Sequence, residues 1–99
     1  MPAYLITQGR IDDPERFQQY LDGVVPTLEA HGGQQLVIAD EAELLEGESD
    51  LMRLVALQFE SVEAARAWHD SPEYQAVAEH RKASSVHRFL LAPGFEFPG

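Results

Sequence analysis

Residues 52–59, MRLVALQF, are apolar at alternate positions on both parities. Val55, Leu57 and Phe59 fall on one side of an extended chain, and Met52, Leu54 and Ala56 on the other. A strand with one solvated face alternates apolar with polar residues. This strand needs cover on both faces. Whatever else the chain folds into, its sheet must lie between two layers.

The flanking segments define those layers. Residues 3–11 (AYLITQGRI) read as a first strand. Asp13 and Pro14 then give a helix start, with Asp as N-cap and Pro at the first helical position. Phe17, Tyr20, Leu21, Val24 and Leu28 follow at helical spacing on one face. His31, Gly32 and Gly33 end that helix, with glycine available for a left-handed cap. Pro26 lies inside it, and a kink is expected near Asp22 and Gly23. Residues 35–39 form a second strand, expected to resume at 43–46. Ser61 caps a helix carrying Ala64, Ala65 and Trp68. Ser71 and Pro72 start the helix again, with Tyr74, Val77, Ala78 and then Arg81 on one stripe. Residues 85–92 form the last strand. The order strand, helix, strand, strand, helix, strand, joined by right-handed crossovers, gives an α+β, ferredoxin-like βαββαβ fold. Its four-stranded antiparallel sheet has the helices on one face.

The helices cover only one side of the two-faced strand. Exposed apolar patches of that size are rare on soluble monomers, and the simplest cover is the same face of a second copy. A homodimer through the sheet faces is therefore expected, with the aromatic tail at 92–99 placed to reach across. The whole chain, 1–99, reads as one domain.

With 99 residues the core is thin: a domain this size buries about 60–65% of its unfolded surface. The absence of Cys excludes disulfides, thiolate metal sites and a Cys nucleophile. The net charge of −10 argues against nucleic-acid binding. Residues 34–52 carry six acids and no base, so they hold −6 of that total. Residues 53–99, which hold three of the four histidines, are nearly neutral, with six acids and five bases. No apolar run approaches the ~18 residues of a membrane span. The first residues lack a basic stretch leading into an apolar core, so no signal peptide is read and the expected location is cytoplasmic.

Arg81 is the most informative residue. It occupies an inward stripe position and cannot shed its charge, so it needs a partner. That partner is either a protein carboxylate, such as Asp22 or Glu46, or the carboxylate or enolate oxygen of a substrate. His31, at the end of the first helix, either caps the last carbonyls or serves as a general acid/base at the mouth of a cleft. Tyr20, Trp68 and Tyr74 turn toward the sheet, as core or as the lining of a pocket. No metal-binding His spacing or phosphate loop occurs, and Ser61 and Ser71 read as caps. No cofactor is expected.

The motifs Val25-Pro26, Ala30-His31-Gly32-Gly33 and Leu45-Glu46-Gly47 resemble the domain-of-unknown-function 1330 family. So do residues 59–68 (FESVEAARAW), Ser71-Pro72-Glu73-Tyr74-Gln75 and Arg81. The resemblance covers nearly the whole chain. It implies a dimeric α+β barrel, the assembly shared with small monooxygenases of antibiotic biosynthesis, muconolactone isomerase and haem-degrading relatives. It implies no established reaction. The acidic hairpin and the tail with Phe95 and Phe97 depart from the family's usual pattern.

Two functions are expected on these grounds. One is a cofactor-independent enzyme, monooxygenase- or isomerase-like, acting on an aromatic or carboxylate-bearing metabolite. The other is a non-catalytic dimeric module that binds a small ligand.

Overall fold

A computed structural model of the protein describes residues 1–95. The elements run β1 (Ala3–Ile11), α1 (Pro14–Ala30), β2 (Gln34–Ala39), β3 (Arg53–Phe59), α2 (Val62–Asp70), α3 (Pro72–Ser84) and β4 (Ser85–Pro93). The strands form one antiparallel sheet in the order β2-β3-β1-β4. This is the ferredoxin-like βαββαβ arrangement.

Capping sets the helix starts. The Asp13 carboxylate accepts from Arg16 N–H at 3.2 Å, and Ser61 Oγ accepts from Ala64 N–H at 3.0 Å. Ser71 serves two helices. Its Oγ donates to the Trp68 carbonyl at 2.7 Å, closing α2, and accepts from Tyr74 N–H at 3.2 Å, opening α3. Each such cap contributes about 1 kcal/mol. α1 continues through Pro26, where the Asp22 carbonyl loses its helical donor. Its end is fixed by Gly32, whose φ of +72° is the left-handed conformation that favours glycine. Gly33 allows a close approach: a Cβ there would lie 2.9 Å from the Leu28 side chain and from the Phe59 ring.

Residues 40–52 contain no strand, so β2 does not resume at 43–46. The acids of this stretch face water, and Arg10 reaches across from β1 to bond Asp12 and Asp50. The run of like charge favours a solvated loop over a ladder packed against a neighbouring strand.

Parity divides the sheet. Ala3, Leu5, Leu57 and Phe59 face the helices and join Phe17, Tyr20, Val24, Leu28, Ala65, Trp68, Tyr74 and Ala78 in the buried core. Trp68 and Tyr74 are fully buried, with ring centroids 4.0 Å apart, and Phe59 lies 5.6 Å from Trp68. The opposite face carries Tyr4, Ile6, Val37, Leu54, Ala56, Val86 and Leu90. Val37, Val86 and Leu90 are 43%, 44% and 54% exposed, so this apolar face has no cover among the described residues. β4 ends at Pro93, and Gly94 N–H donates to the Pro2 carbonyl at 2.7 Å. The last residues of the tail expected to reach a partner, 96–99, lie outside the described residues. No helix among the described residues is long and apolar enough to cross a membrane.

Candidate functional site

A cleft of about 230 Å³ opens between the helices and the inner face of the sheet. α1 supplies Tyr20, Leu21, Val24 and Leu28, while α2 supplies Trp68 and α3 supplies Arg81. The sheet supplies Thr7, Gln35, Ile38, Val55, Leu57 and Phe89 as walls, together with Arg53 and His87. Asp40 stands at the mouth. The walls are mostly apolar, and the polar groups are few and convergent, as in small-molecule sites generally.

The structure places the sequence-predicted residues unequally. Tyr20, Trp68 and Arg81 line the cleft. Tyr74 lies behind it and touches Tyr20, hydroxyl to hydroxyl, at 3.0 Å. Burial, then the contact with Tyr74, pushes the Tyr20 hydroxyl well above the usual phenol range, so it stays protonated. Trp68 Nε1–H donates to Thr27 Oγ1 at 3.0 Å, and Thr27 Oγ1–H donates to the Val24 carbonyl at 2.6 Å. Trp68 therefore offers the cleft a ring and no donor. His31 does not line the cleft. It is half-buried at the end of α1, with Nδ1–H donating to the Thr27 carbonyl at 3.1 Å.

Arg81 is 9% exposed, and its buried Nε has no hydrogen-bond partner. Among the described residues it forms no ion pair, with Asp22, Glu46 or any other acid. Its guanidinium lies over the Phe89 ring, 4.5 Å from the centroid. Such a contact contributes about 0.5–2 kcal/mol and does not replace the hydrogen bonds lost from water.

Sequence reasoning did not single out two further polar residues. Arg53 is 8% exposed and lies 5.2 Å from the Phe17 centroid. Its nearest acid is Asp40, with Nε 3.6 Å from a carboxylate oxygen that belongs to a nearly fully exposed side chain. That spacing makes a loose ion pair but is too long for a hydrogen bond, so the Arg53 Nε has no hydrogen-bond partner among the described residues. His87 stacks on Phe17, with centroids 5.7 Å apart and planes within 8°. It sits opposite Gly9 of β1, where a Cβ would come 2.1 Å from the ring. Gly9 is thus the reason an imidazole fits on this face.

Burial, Arg81 and Arg53, in that order, push His87 down to about 4, so it is neutral at pH 7. An unfolded His titrates near 6.5. Between these values the unfolded chain binds the extra proton, so stability falls as pH drops. The stability tied to neutral His87 is complete above about pH 6.5 and is lost as pH falls through about 4. The melting temperature followed from pH 7 to 4 should fall less in His87→Phe than in the wild type. Parallel curves would contradict the burial of a neutral imidazole.

Fold and cleft together define a ferredoxin-like α+β protein with a small, cation-lined cavity between helices and sheet. The chain belongs to the domain of unknown function family DUF1330, whose model matches residues 2–95. It is similar in fold to a protein of unknown function from Rhodopseudomonas palustris, at 18% identity and a TM-score of 0.80, covering 96% of this chain and 83% of that one. SnoaB, a cofactor-independent oxygenase from Streptomyces nogalater, aligns at 13% identity and a TM-score of 0.65, covering 97% and 95%. A dimeric protein of unknown function with a ferredoxin-like fold from Bacteroides fragilis aligns at 11% and 0.58, covering 94% and 96%. No curated protein matches the chain.

Proposed function

We propose that the cleft binds a small aromatic or carboxylate-bearing anion, and that the protein is a cofactor-independent enzyme, of monooxygenase or isomerase type, acting on it. The observation that carries this reading is Arg81, a buried guanidinium without an acid partner among the described residues, in an apolar cavity. Tyr20 and Trp68 form the walls, and Tyr74 holds Tyr20 in place from behind. The cavity is below the ~300–1,000 Å³ usual for drug-sized ligands, so the ligand is the size of one ring or a short chain. The fold shared with a cofactor-independent oxygenase supports the reaction type by analogy alone.

A thermal-shift screen with benzoate, other small carboxylates and uncharged benzamide tests the binding. Carboxylates at about 100 times Kd should stabilise by about 2.7 kcal/mol, and benzamide should not. A screen in which no carboxylate shifts the melting point would refute the reading. The position of His31 outside the cleft favours a second reading, a binding module without turnover. A carboxylate that binds but is recovered unchanged under oxygen would favour that module.

We further propose that two copies pair through the exposed sheet faces, burying Ile6, Leu54, Val37 and Leu90. Light scattering should give the mass of two 11.1 kDa chains at micromolar concentration, and Leu54→Arg should give that of one. A single-chain mass for the wild type would rule the pairing out.

A further inference from the structure

The hydrogen bonds around His87 fix which of its nitrogens carries the proton. Ser85 Oγ–H donates to the Arg81 carbonyl at 2.6 Å, so that hydroxyl has its proton committed. The contact between Ser85 Oγ and His87 Nδ1, at 2.8 Å, must then run from Nδ1–H to the oxygen. A neutral imidazole protonated on Nδ1 has a bare lone pair on Nε2, and Nε2 has no hydrogen-bond partner among the described residues. Burial and the two nearby cations keep the ring neutral, as described above.

The same ring lies between two arginines whose buried Nε atoms have no hydrogen-bond partner among the described residues. It stacks on Phe17, against which Arg53 rests, and lies edge-on to Phe89 at 6.4 Å, against which Arg81 rests. The cleft therefore presents two cationic donors flanking one neutral acceptor. A complementary ligand brings an anionic oxygen for a guanidinium and an uncharged donor for Nε2. An ammonium group is repelled by the two arginines, so the donor is uncharged, and a hydroxyl is the smallest such group.

We infer that the ligand is a hydroxylated aromatic carboxylate, with its carboxylate against Arg81 and its hydroxyl donating to Nε2 of His87. This deepens the proposed function and rests on the reading of the cleft as an anion site. Val24, Val55 and Phe89 are among the apolar walls that would surround the arene, and the cavity volume fits a single ring. His87 acts here as a specificity-determining residue.

Calorimetric titration with benzoate, the three hydroxybenzoates and their methyl ethers tests the inference. At least one hydroxybenzoate should bind about tenfold tighter than benzoate and than its own ether, the usual effect of one well-made hydrogen bond. His87→Phe, which keeps a ring to stack on Phe17, should erase that difference. If benzoate binds and no hydroxybenzoate exceeds it, the acceptor role falls while the anion site stands. If no member of the series binds, both fall. Imidazole ¹⁵N spectra of the wild type test the same point without a variant. They should show His87 protonated on Nδ1, with the Nε2 signal moving on addition of the tight hydroxybenzoate and not of benzoate. The opposite tautomer would overturn the inference.

Discussion

Replacing Arg81 by Met is expected to raise the melting temperature of the free protein while abolishing its response to carboxylates. The methionine keeps the stem that packs on α3's inner stripe and removes a charge that has no acid partner among the described residues. Exchanging buried ionic groups for apolar ones of similar volume is often stabilising by 1–4 kcal/mol. Here the lost contact with Phe89 offsets part of the gain. A net of about 1 kcal/mol corresponds to roughly 4–8 °C for a domain of this size, measured at matched protein concentration. Arg81→Lys should keep the charge and lose the planar fork, weakening carboxylate binding without the gain in stability. A melting point that falls in Arg81→Met would mean that the guanidinium is bonded within the protein or across a contact with a second copy. The account of the cleft would then be wrong. A site that holds a strained group ready for its ligand is less stable than it could be, and this pair of variants measures that cost.

Trp68→Ala is expected to produce the largest loss of stability in the chain. Trp68 is fully buried, packs on Phe59 and Tyr74, and bonds Thr27, so it joins α1, α2, α3 and β3. Truncating a buried Trp costs about 3–5 kcal/mol, against a total stability of about 5–15 kcal/mol for a domain. The space left would merge with the cleft, and the Thr27 hydroxyl would lose a donor. The melting temperature should fall by roughly 15 °C or more. Trp68→Phe, which retains most of the ring, should cost well under half as much. A loss below about 1 kcal/mol for the alanine variant, read by chemical denaturation, would show that the core is organised elsewhere.

The fold was legible because its signals are local and agree with one another. Asp13, Ser61 and Ser71 each cap the helix that their position announces, and Gly32 adopts the left-handed conformation that a helix end before a strand requires. The two-faced strand at 52–59 is β3, whose neighbours are β2 and β1 within the sheet. The acidic stretch was less legible. Leu44 and Leu45 suggest a strand, but the charges around them favour water over a ladder.

The cleft was read in part, for a reason that lies in the period of each element. Arg81 stands out because a charge interrupts a helical stripe, and Tyr20 and Trp68 follow from the same periodicity. Arg53 and His87 carry the equivalent signal in strands. Arg53 shares parity with Val55, Leu57 and Phe59, and His87 with Phe89 and Leu91. Both sit at inward positions where an apolar residue is expected, and Gly9 in the opposite strand marks the space that His87 needs. The convergence of Arg53, Arg81 and His87 depends on sheet register and helix placement, which no local pattern encodes. The two glycines after His31 have structural work of their own: Gly32 turns the chain and Gly33 lets Phe59 approach.

The central claim is that the cleft is an anion site built on Arg81. The most direct test is a crystal structure of the protein grown with benzoate. Density for the ring should fill the cleft, with a carboxylate oxygen about 2.7–2.9 Å from the Arg81 guanidinium. A cleft without benzoate, with Arg81 bonded to a carboxylate of the protein itself, would contradict the account.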